Sequence, residues 1–437
     1  MQSQILIGAA SSGSGKTTLM LGLLRALRNR NLKVQPFKCG PDYIDTKYHS
    51  LAAGEESVNL DSYLASESHI EHLYSTYGKE ADVCVTEGVM GLFDGYNGMQ
   101  GSSAEIAKIL NIPVVLVVNA KSTAYSVAPL IYGFKNFCKD INVAGVIFNM
   151  VASPTHYEYL LQACKDAGVE CLGYLPKQKE IEIPSRHLGL TLDEKFAFDA
   201  FADKIAALVE EHIDLDRLLE CSAFKMNCHS RLGQQSVCNS AMTHQIAIAR
   251  DEAFNFIYRE NIAQLQRLGD VTFFSPIHDK ELPQADLVYL PGGYPEFYLS
   301  QLSGNKTMLQ SIKEYVERGG KLLAECGGMM YLCHSITGMD GISYPMADVL
   351  AQRATMDNMK LKLGYRNFTY NDIQMRGHEF HYSRIVPQDD PLLSVAELYT
   401  AKGLKTDTPL YRYKNVIAGY THLYWGEMNI FDLWKEV

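Results

Sequence analysis

The stretch Gly8–Thr18, GAASSGSGKTT, decides how the first half of the chain folds. An apolar run, Ile5–Ile7, precedes it, and apolar side chains at helical spacing follow it from Leu19 onwards. In a glycine-rich loop between a strand and a helix, successive backbone N–H groups point at one anion, and the helix N-terminus adds positive potential. The stretch therefore predicts a phosphate-binding loop.

Two side chains of this loop indicate nucleotide chemistry. Lys16 can reach the outer phosphates of a nucleotide, and the Thr17 hydroxyl can ligate Mg²⁺. The usual pattern has glycine five positions before the Gly-Lys pair, where this chain has Ala10. The alternative is a glycine-rich turn without function, but the GKT half and its strand and helix context are intact. We therefore predict a nucleotide site.

The composition is that of a folded protein with more than one domain. A length of 437 residues exceeds one ordinary domain, and 47% hydrophobic with 21% charged residues is globular. The net charge of −10 argues against a nucleic-acid partner. Ten cysteines without a CxxC pair favour incidental thiols over a zinc site. Without a membrane-length apolar run or a signal peptide, we expect a cytoplasmic protein with no membrane partner.

Apolar, β-rich runs alternate with helical patterns, which is typical of doubly wound parallel sheets. In the first half the predicted strands are Ile5–Ile7, Lys33–Phe37, Val83–Thr86, Val114–Val118, Val143–Phe148 and Glu170–Tyr174, and the predicted helices are Ala104–Leu110, Val127–Phe137, His156–Ala167 and Ala197–His212. A polar stretch over 221–243 predicts a linker, and a second alternation follows it. We therefore predict an α/β chain of two doubly wound domains, at 1–220 and 244–437.

Acidic residues follow the second and third predicted strands. FKCGPDYIDTKYH, 37–49, places Asp42 and Asp45 beside Lys38 and Lys47, although two aspartates at this spacing are also typical of helix caps and turns. Glu87 ends the third strand, where a P-loop protein holds Mg²⁺. Ligands bind at the carboxyl ends of such strands, so these residues are predicted to face the nucleotide.

Three further side chains of the first half are weaker candidates. Asp94 lies in the glycine-rich loop after Glu87, and Asn149 ends the strand GVIFNMV, where a carboxamide can pair with an adenine edge. Arg186, beside His187 in PSRHLGL, is a candidate for holding an anionic substrate, and an ordinary loop pair is the alternative.

The second half carries a candidate nucleophile. LLAECGGMMYL, 322–332, sets Cys326 between an apolar strand and a helical run, and small neighbours permit the tight turn of a nucleophile elbow. We expect the helix N-terminus to lower the pKa of this thiol. A buried core cysteine is the alternative. The backbone N–H groups of Gly292 and Gly293, in LPGGYPE, and of Gly327 are predicted to form an oxyanion hole.

The base that such a thiol needs is His422, in AGYTHLYWGE near the C-terminus. A histidine at the end of a strand-like run can take the thiol proton and later protonate ammonia. Together with Cys326 it predicts acyl-transfer chemistry.

Several motifs carry a family resemblance. GSGKTT, FKCGPDYIDTKYH, NLDSYL and VTEGVMGLFDGY resemble the cobyrinic acid a,c-diamide synthases, whose first half is similar to dethiobiotin synthetase. LPGGYPE, AECGGM, RGHEFHYS and YTHLYW resemble a flavodoxin-like class I glutamine amidotransferase domain of the cobyric acid synthase type. The resemblance implies that ATP activates a carboxylate as an acyl phosphate and that ammonia from glutamine displaces the phosphate.

The resemblance also implies residue roles. It assigns ATP to Gly13, Ser14, Gly15, Lys16, Thr17, Thr18 and Asn149, Mg²⁺ to Thr17 and Glu87, and catalysis near the reacting carboxylate to Asp42, Asp45 and Asp94. Family loops often carry glycine where this chain has Ala9, which leaves the lysine and threonine roles untouched. In the wider amidotransferase class glutamate stands two positions after the base, but this chain has Tyr424 there. The orienting group is therefore unassigned, with Glu379 as a speculative candidate.

The implied partners are ATP, L-glutamine and a corrinoid, cobyrinic acid, whose carboxylates would meet Lys38, Lys47 and Arg186. A homo-oligomer is compatible with the sequence. Hydrogenobyrinic acid and nickel sirohydrochlorin are alternative substrates, because relatives that act on them share these motifs. A regulatory ATPase of the ParA or MinD type is the alternative from another class, and it leaves Cys326, His422 and LPGGYPE unexplained.

Overall fold

A computed structural model describes residues 2–177, 197–224, 244–387 and 392–435. The chain divides into two compact units, Met1–Gln235 and Ser236–Val437. The predicted domain limits and the linker at 221–243 stay a prediction, because the division falls among residues that the structure does not describe.

The first unit is built on an eight-stranded sheet in which β3-β2-β4-β1-β5-β6-β7 are parallel and β8 pairs antiparallel with β1. Its strands are β1 Gln2–Ala9, β2 Val34–Cys39, β3 Val58–Leu60, β4 Val83–Glu87, β5 Val114–Asn119, β6 Val143–Val151, β7 Cys171–Pro176 and β8 Ala223–Phe224. Its helices are α1 Lys16–Asn29, α2 Ile44–Ala53, α3 Glu67–Gly78, α4 Ser103–Leu110, α5 Val127–Phe137, α6 Pro154–Ala167, α7 Phe198–His212 and α8 Leu215–Cys221.

The core of the first unit explains why its central strand is uniformly apolar. Ile5, Leu6 and Ile7 of β1 are fully buried, because helices cover a parallel sheet on both faces. Since β1 lies between β4 and β5, the loop that leaves its carboxyl end emerges where the strand order reverses. Ligands of open α/β sheets bind at this point.

The second unit has its own sheet, of order β11-β9-β12-β14-β23-β22, in which only the edge pair β22–β23 is antiparallel. Its strands are β9 His244–Ala249, β10 Phe254–Phe256, β11 Gly269–Phe274, β12 Leu287–Leu290, β13 Gly292–Gly293, β14 Lys321–Glu325, β15 Cys333–Thr337, β16 Ser343–Pro345, β17 Leu350–Thr355, β18 Lys362–Tyr370, β19 Ile373–His381, β20 Arg384–Ile385, β21 Tyr399–Thr400, β22 Leu410–Tyr413, β23 Val416–Gly419 and β24 His422–Leu423. Its α-helices are α9 Arg259–Leu268, α10 Leu299–Gly304, α11 Lys306–Glu317 and α12 Gly327–Leu332, and 3₁₀ turns cover Pro295–Phe297 and Ile430–Trp434.

Two four-stranded sheets, β16-β15-β17-β20 and β21-β18-β19-β24, were not predicted from the sequence. The motif RGHEFHYS begins in β19, which pairs with β24 so that His378 lies opposite His422. His422 itself belongs to β24, so this pairing brings the polar side chains of β19 next to it.

The predicted α/β class with two parallel-sheet units is confirmed, and the strands predicted in the first half are present with shifts of a few residues at their ends. The structure adds β3, α2 and α3, whose short or mixed patterns gave no periodic signal. Across the described ranges, no helix combines the length and apolarity needed to cross a bilayer.

Packing of α1 against α7 generates a stability prediction. A methyl group at Gly22 of α1 would lie 2.4 Å from Ile205 Cγ2, whereas one at Gly133 of α5 would meet nothing within 4 Å. We expect Gly22→Ala to lower the free energy of unfolding of the first unit by about 1–3 kcal/mol through overpacking. Gly133→Ala should raise it by about 0.5–1 kcal/mol, since alanine favours the helix. Urea denaturation followed by circular dichroism measures both, and equal shifts in one direction would contradict the packing argument.

Candidate active sites

The glycine-rich loop after β1 has the backbone of a phosphate-binding loop. Gly13 and Gly15 adopt φ values of 73° and 91°, which glycine tolerates without strain. The Asn149 amide at the end of β6 donates to the Ser14 carbonyl at 3.0 Å, and a methyl group at Gly15 would lie 1.9 Å from its Nδ2. The Asn149 side chain therefore holds the loop at Ser14 and Gly15. Its role toward adenine stays a prediction.

Glu87 is the centre of a buried polar cluster beside this loop. The Thr17 hydroxyl donates to Glu87 Oε1 at 2.8 Å, and His49 Nε2 lies 2.6 Å from Oε2. Lys38 Nζ is 3.2 Å from Oε1, because Lys38 and Glu87 are neighbours in the register of β2 with β4. Burial alone would raise the pKa of Glu87, but Lys38 and His49 hold it well below its usual range.

Lys38 is enclosed between two carboxylates. Its ammonium is 2.6 Å from Asp45 Oδ2, and the side chain is only 4% exposed. Burial lowers its pKa, but Asp45 and Glu87 more than compensate, so Lys38 stays charged. Burial, despite Lys38, raises the pKa of Asp45 to about 6. The predicted role of Lys38 toward substrate stays a prediction, and its observed partners are these carboxylates.

The loop after β4 closes over the phosphate-binding loop. Lys16 Nζ donates to the Met90 carbonyl at 2.5 Å, and the Leu92 N–H donates to the Ala9 carbonyl at 2.7 Å. The exposed Asp94 accepts the Gly91 N–H at 3.0 Å and contributes a favourable field at Lys16. Burial nevertheless lowers the pKa of Lys16.

The remaining predicted side chains of this unit differ in their placement. Asp42 Oδ1 accepts the N–H groups of Ile44 and Asp45, both at 2.8 Å, so it caps the first turn of α2. Lys47 lies on α2 two residues after Asp45 and is partly exposed. Arg186 lies outside the described residues, and its role stays a prediction.

In the second unit, Cys326 stands at a sharp turn between β14 and α12. Its backbone has φ 48° and ψ −106°, a strained conformation that is typical of a nucleophile elbow. A methyl group at Gly327 would lie 2.8 Å from Pro295, and one at Gly328 would lie 2.1 Å from the Leu290 carbonyl oxygen. The two glycines are therefore required for the turn to pack against the end of β12.

The end of β12 also positions His422. A methyl group at Gly292 would lie 2.1 Å from His422 Cε1, and the position for one at Gly327 is 3.4 Å from the Gly293 nitrogen. The Cys326 N–H donates to the Gly419 carbonyl at 2.7 Å, three residues before His422. The structure thus brings Cys326, His422 and the predicted oxyanion-hole glycines to the same end of the sheet.

The expectation of a lowered thiol pKa is wrong. Burial raises the pKa of Cys326, and the carboxyl group of Glu296 adds to the effect, while the N–H of Gly327 opposes it. Burial lowers the pKa of His422 to about 3, with further repulsion from His378 and His381. Both groups are therefore neutral at physiological pH.

Glu325, which sequence reasoning missed, lies next to His422. Its Oε2 is 3.9 Å from His422 Nδ1 and accepts the Tyr289 hydroxyl at 2.7 Å, and its Oε1 accepts the Leu423 N–H at 3.1 Å. The carboxyl group thus contacts both the base and the residue after it. Burial raises the pKa of Glu325 to about 8. The signal in the sequence was its position directly before the nucleophile.

Glu379, the speculative orienting residue, is held by other groups. Arg366 Nη2 lies 2.8 Å from its Oε2, and the hydroxyls of Thr421 and Thr408 donate to it at 3.1 and 3.2 Å. The ion pair with Arg366 ties β19 to the neighbouring strand β18. The hydrogen bond from Thr421 ties Glu379 to the residue directly before His422. Glu379 therefore supports the backbone that carries the base.

Both units match protein families. Residues 5–190 match the family described as CobQ/CobB/MinD/ParA nucleotide binding domain, and residues 245–430 match the CobB/CobQ-like glutamine amidotransferase domain. Proteins named cobyrinate a,c-diamide synthase are similar over nearly the whole chain. The one from Listeria innocua is 38% identical over 435 residues, with 96% of each chain covered. Those from Streptococcus sanguinis and Salmonella typhimurium are 38% and 36% identical, covering 96% and 97% of this chain and 95% of their own.

The chain belongs to the cobyrinate a,c-diamide synthase family.

Family membership confirms the predicted combination of a nucleotide-binding unit and a glutamine amidotransferase unit in one ligase. A free-standing ParA or MinD-like regulator does not account for the second match. His49 and Glu325 are the two buried contacts that sequence reasoning did not assign. Each touches a predicted functional side chain, Glu87 or His422. His49 ends the stretch 37–49 and Glu325 directly precedes Cys326, but these positions alone did not indicate which side chain each one contacts.

The close approach of Gly292 to His422 predicts a catalytic defect without unfolding. Gly292→Ala would push the imidazole out of place, and we expect the rate of glutamine hydrolysis to fall roughly 100-fold, as small misplacements of catalytic groups do. Gly304→Ala is a matched control in the same unit, since a methyl group there meets nothing within 4 Å. Glutamate release is measured for both variants. A wild-type rate in Gly292→Ala would contradict the placement of His422.

Proposed function

We propose that the protein is an ATP- and glutamine-dependent ligase that converts the a and c acetate carboxylates of cobyrinic acid into amides. The observation that carries the proposal is the similarity to proteins named cobyrinate a,c-diamide synthase, which extends over both units. The buried clusters around Glu87 and Cys326 supply the two chemistries that such a reaction needs.

The first unit would perform phosphoryl transfer. A carboxylate oxygen of the substrate attacks the γ-phosphorus of ATP, the bond to the bridging oxygen breaks, and ADP leaves. Catalysis of such a step is mainly in-line positioning and neutralisation of charge. Lys16 and Lys38 are buried ammonium groups at the ends of the phosphate-binding loop and of β2, so both are suited to that role. Ammonia then attacks the acyl carbon and phosphate leaves.

Magnesium fits the oxygen donors beside this loop. The Thr17 hydroxyl and the Glu87 carboxylate lie 2.8 Å apart, and one carboxylate with one hydroxyl is a donor set that Mg²⁺ completes with phosphate oxygens and water. When bound, the ion would neutralise charge on the phosphates. His49 would hold the second Glu87 oxygen and so fix the direction of the first.

The acidic side chains around Lys38 have separate tasks in this proposal. Asp45 holds the Lys38 ammonium through a 2.6 Å ion pair, so it positions a cation at the reacting centre. Asp42 fixes the start of α2, which carries Asp45 and His49. Asp94 lies on the loop that covers Lys16, accepts the Gly91 N–H there, and would act near the reacting carboxylate.

The second unit would release ammonia from glutamine. The Cys326 sulfur would attack the carboxamide carbon while His422 takes the thiol proton. The N–H groups of Gly292, Gly293 and Gly327 would stabilise the oxyanion. His422 then gives the proton to the departing ammonia, and water hydrolyses the thioester to glutamate. Since both groups are neutral before glutamine binds, proton transfer accompanies attack.

Separating the two chemistries tests the proposal directly. Cys326→Ala should lose glutamine-dependent amidation but keep amidation with free ammonium, because only the ammonia source is removed. Lys16→Met should lose both, since no acyl phosphate forms. Mass spectrometry of cobyrinic acid incubated with ATP, Mg²⁺ and either nitrogen donor measures the product, and a gain of two amides is expected for the wild type. Loss of both activities in Cys326→Ala would mean that the thiol is structural.

The same experiment distinguishes related substrates. Hydrogenobyrinic acid and nickel sirohydrochlorin are incubated in parallel with cobyrinic acid. Diamidation of one of these alone would overturn cobyrinic acid as the substrate and leave the reaction type intact. ATP turnover without amidation of any tetrapyrrole would overturn the ligase proposal.

In this proposal, Glu325 is the residue that positions His422 in the glutamine site. We expect Glu325→Gln to lower kcat for glutamine hydrolysis roughly ten- to a hundredfold, with little change in KM, because glutamine cannot become anionic beside the imidazolium that forms during the reaction. Glutamine still accepts the Leu423 N–H, so the backbone is retained. Glu325→Asp should recover part of kcat.

Amidation with free ammonium is the internal control for this variant, since it bypasses the second unit. Normal ammonium-dependent activity with reduced glutaminase activity supports a positioning role. An unchanged kcat for glutamine in Glu325→Gln would remove Glu325 from the site.

A further inference from the structure

A second carboxyl group, which the proposed mechanism does not use, lies near the Cys326 thiol. Glu296 belongs to the 3₁₀ turn Pro295–Phe297, one residue after β13. This turn packs against the nucleophile elbow, because a methyl group at Gly327 would lie 2.8 Å from Pro295 Cδ. Of the carboxyl groups that raise the pKa of the Cys326 thiol, Glu296 has the largest effect. Its charge is therefore felt directly at the reacting sulfur.

Glu296 differs from the other acidic side chains near this site in its partners. Glu379 has the Arg366 guanidinium, and Glu325 has the Tyr289 hydroxyl. Within the described part of the chain, no cation or hydroxyl group meets the Glu296 carboxyl group, and the donor that does is its own backbone N–H. Burial accordingly raises the pKa of Glu296 to about 7. A carboxylate in this position gains stability when a cation enters the site.

We infer that Glu296 binds the α-ammonium group of glutamine, an inference that rests on the proposed function. Glutamine would bring its carboxamide to Cys326, and it carries the ammonium group at its other end. Four bonds join the carboxamide carbon to the α-nitrogen, so these atoms are at most about 5 Å apart. A charge-assisted hydrogen bond adds about 2.8 Å. The acceptor is therefore needed close to the nucleophile, where Glu296 lies.

The segment that carries Glu296 also carries the predicted oxyanion hole. Gly293 precedes Glu296 by three residues. The Tyr294 N–H donates to the Ala253 carbonyl at 2.9 Å, and the Phe297 N–H donates to the Tyr294 carbonyl at 3.2 Å. These bonds fix the turn before any ligand binds, so the ammonium acceptor and the oxyanion donors are held in one rigid arrangement.

The charge of Glu296 argues against a direct role in attack by the thiol. An anion there opposes formation of the Cys326 thiolate. The ammonium group of bound glutamine would offset that charge and so ease the loss of the thiol proton. Removal of the charge by mutation should likewise favour the thiolate, so a loss of glutamine cleavage in such a variant comes from weaker substrate binding.

Replacing the carboxyl group by an amide of the same shape tests the inference. In Glu296→Gln we expect kcat/KM for glutamine to fall roughly ten- to a hundredfold through KM, as loss of a charge-assisted hydrogen bond predicts. The kcat/KM for 4-carbamoylbutanoate, which is glutamine without its α-amino group, should not fall. Ammonia release measures both substrates. Glu281→Gln is the matched control, since Glu281 is exposed in the same unit, and it should change neither value.

A binding measurement removes turnover from the comparison. Isothermal titration calorimetry of glutamine with Cys326→Ala, with and without Glu296→Gln, should show Kd rising by the same roughly ten- to hundredfold factor. Glu296→Asp keeps the charge, so we expect it to retain a preference for glutamine over 4-carbamoylbutanoate that Glu296→Gln loses.

The outcomes separate this inference from the proposed function. Equal losses with both substrates in Glu296→Gln would mean that Glu296 supports the site without contacting the ammonium group, and an unchanged kcat/KM for glutamine would remove it from the site. Either result overturns the inference and leaves the ligase standing. Failure of the wild type to release ammonia from glutamine would overturn the proposed function itself.

Discussion

The fold of the first unit depends on contacts that compensate the charge of one buried carboxylate, Glu87. Glu87 is 1% exposed, and an unpaired charge at that depth would be strongly destabilising. Its two oxygens contact Thr17, Lys38 and His49, so α1, β2, β4 and α2 are fixed relative to one another. Lys38 in turn needs Asp45, which extends the cluster into α2. The contacts that compensate the buried charge of Glu87 also bring together the oxygen donors and cations of the proposed phosphoryl-transfer site.

The second unit also holds a buried carboxyl group at the end of a parallel strand, Glu325 of β14, but compensates it differently. Glu325 meets a tyrosine hydroxyl and a backbone N–H, and burial raises its pKa, whereas Glu87 meets a cation and has a lowered pKa. A permanently charged Glu87 suits a site for phosphates and metal. The raised pKa of Glu325 follows from its burial, which the Tyr289 hydroxyl and the Leu423 N–H only partly offset.

The features that were predicted from the sequence are those in which one short segment carries both the apolar pattern of a buried strand and the residues of a functional turn. The apolar runs around Gly8–Thr18 and Cys326 are buried strands that must lead into glycine-rich turns, so fold class, nucleotide loop and nucleophile elbow follow from short segments. His49 and Glu325 could not be predicted in this way, because their contacts join residues 38 and 98 positions apart. The thiol pKa was mispredicted for the same reason. A helix N-terminus is visible in sequence, but the burial that outweighs it is not.

Burial of the proposed dyad also bears on how the second unit would cleave glutamine. A thiol with a raised pKa and an imidazole with a lowered pKa both favour keeping the proton on sulfur. Moving the proton from Cys326 to His422 creates a negative and a positive charge, and each buried charge requires a stabilising partner. The Gly293 and Gly327 N–H groups can supply it for the developing oxyanion only when a glutamine carbonyl is present, and Glu325 can supply it for the imidazolium. In the proposed reaction, glutamine cleavage would therefore need the glutamine carbonyl and Glu325 to be in place at the same time.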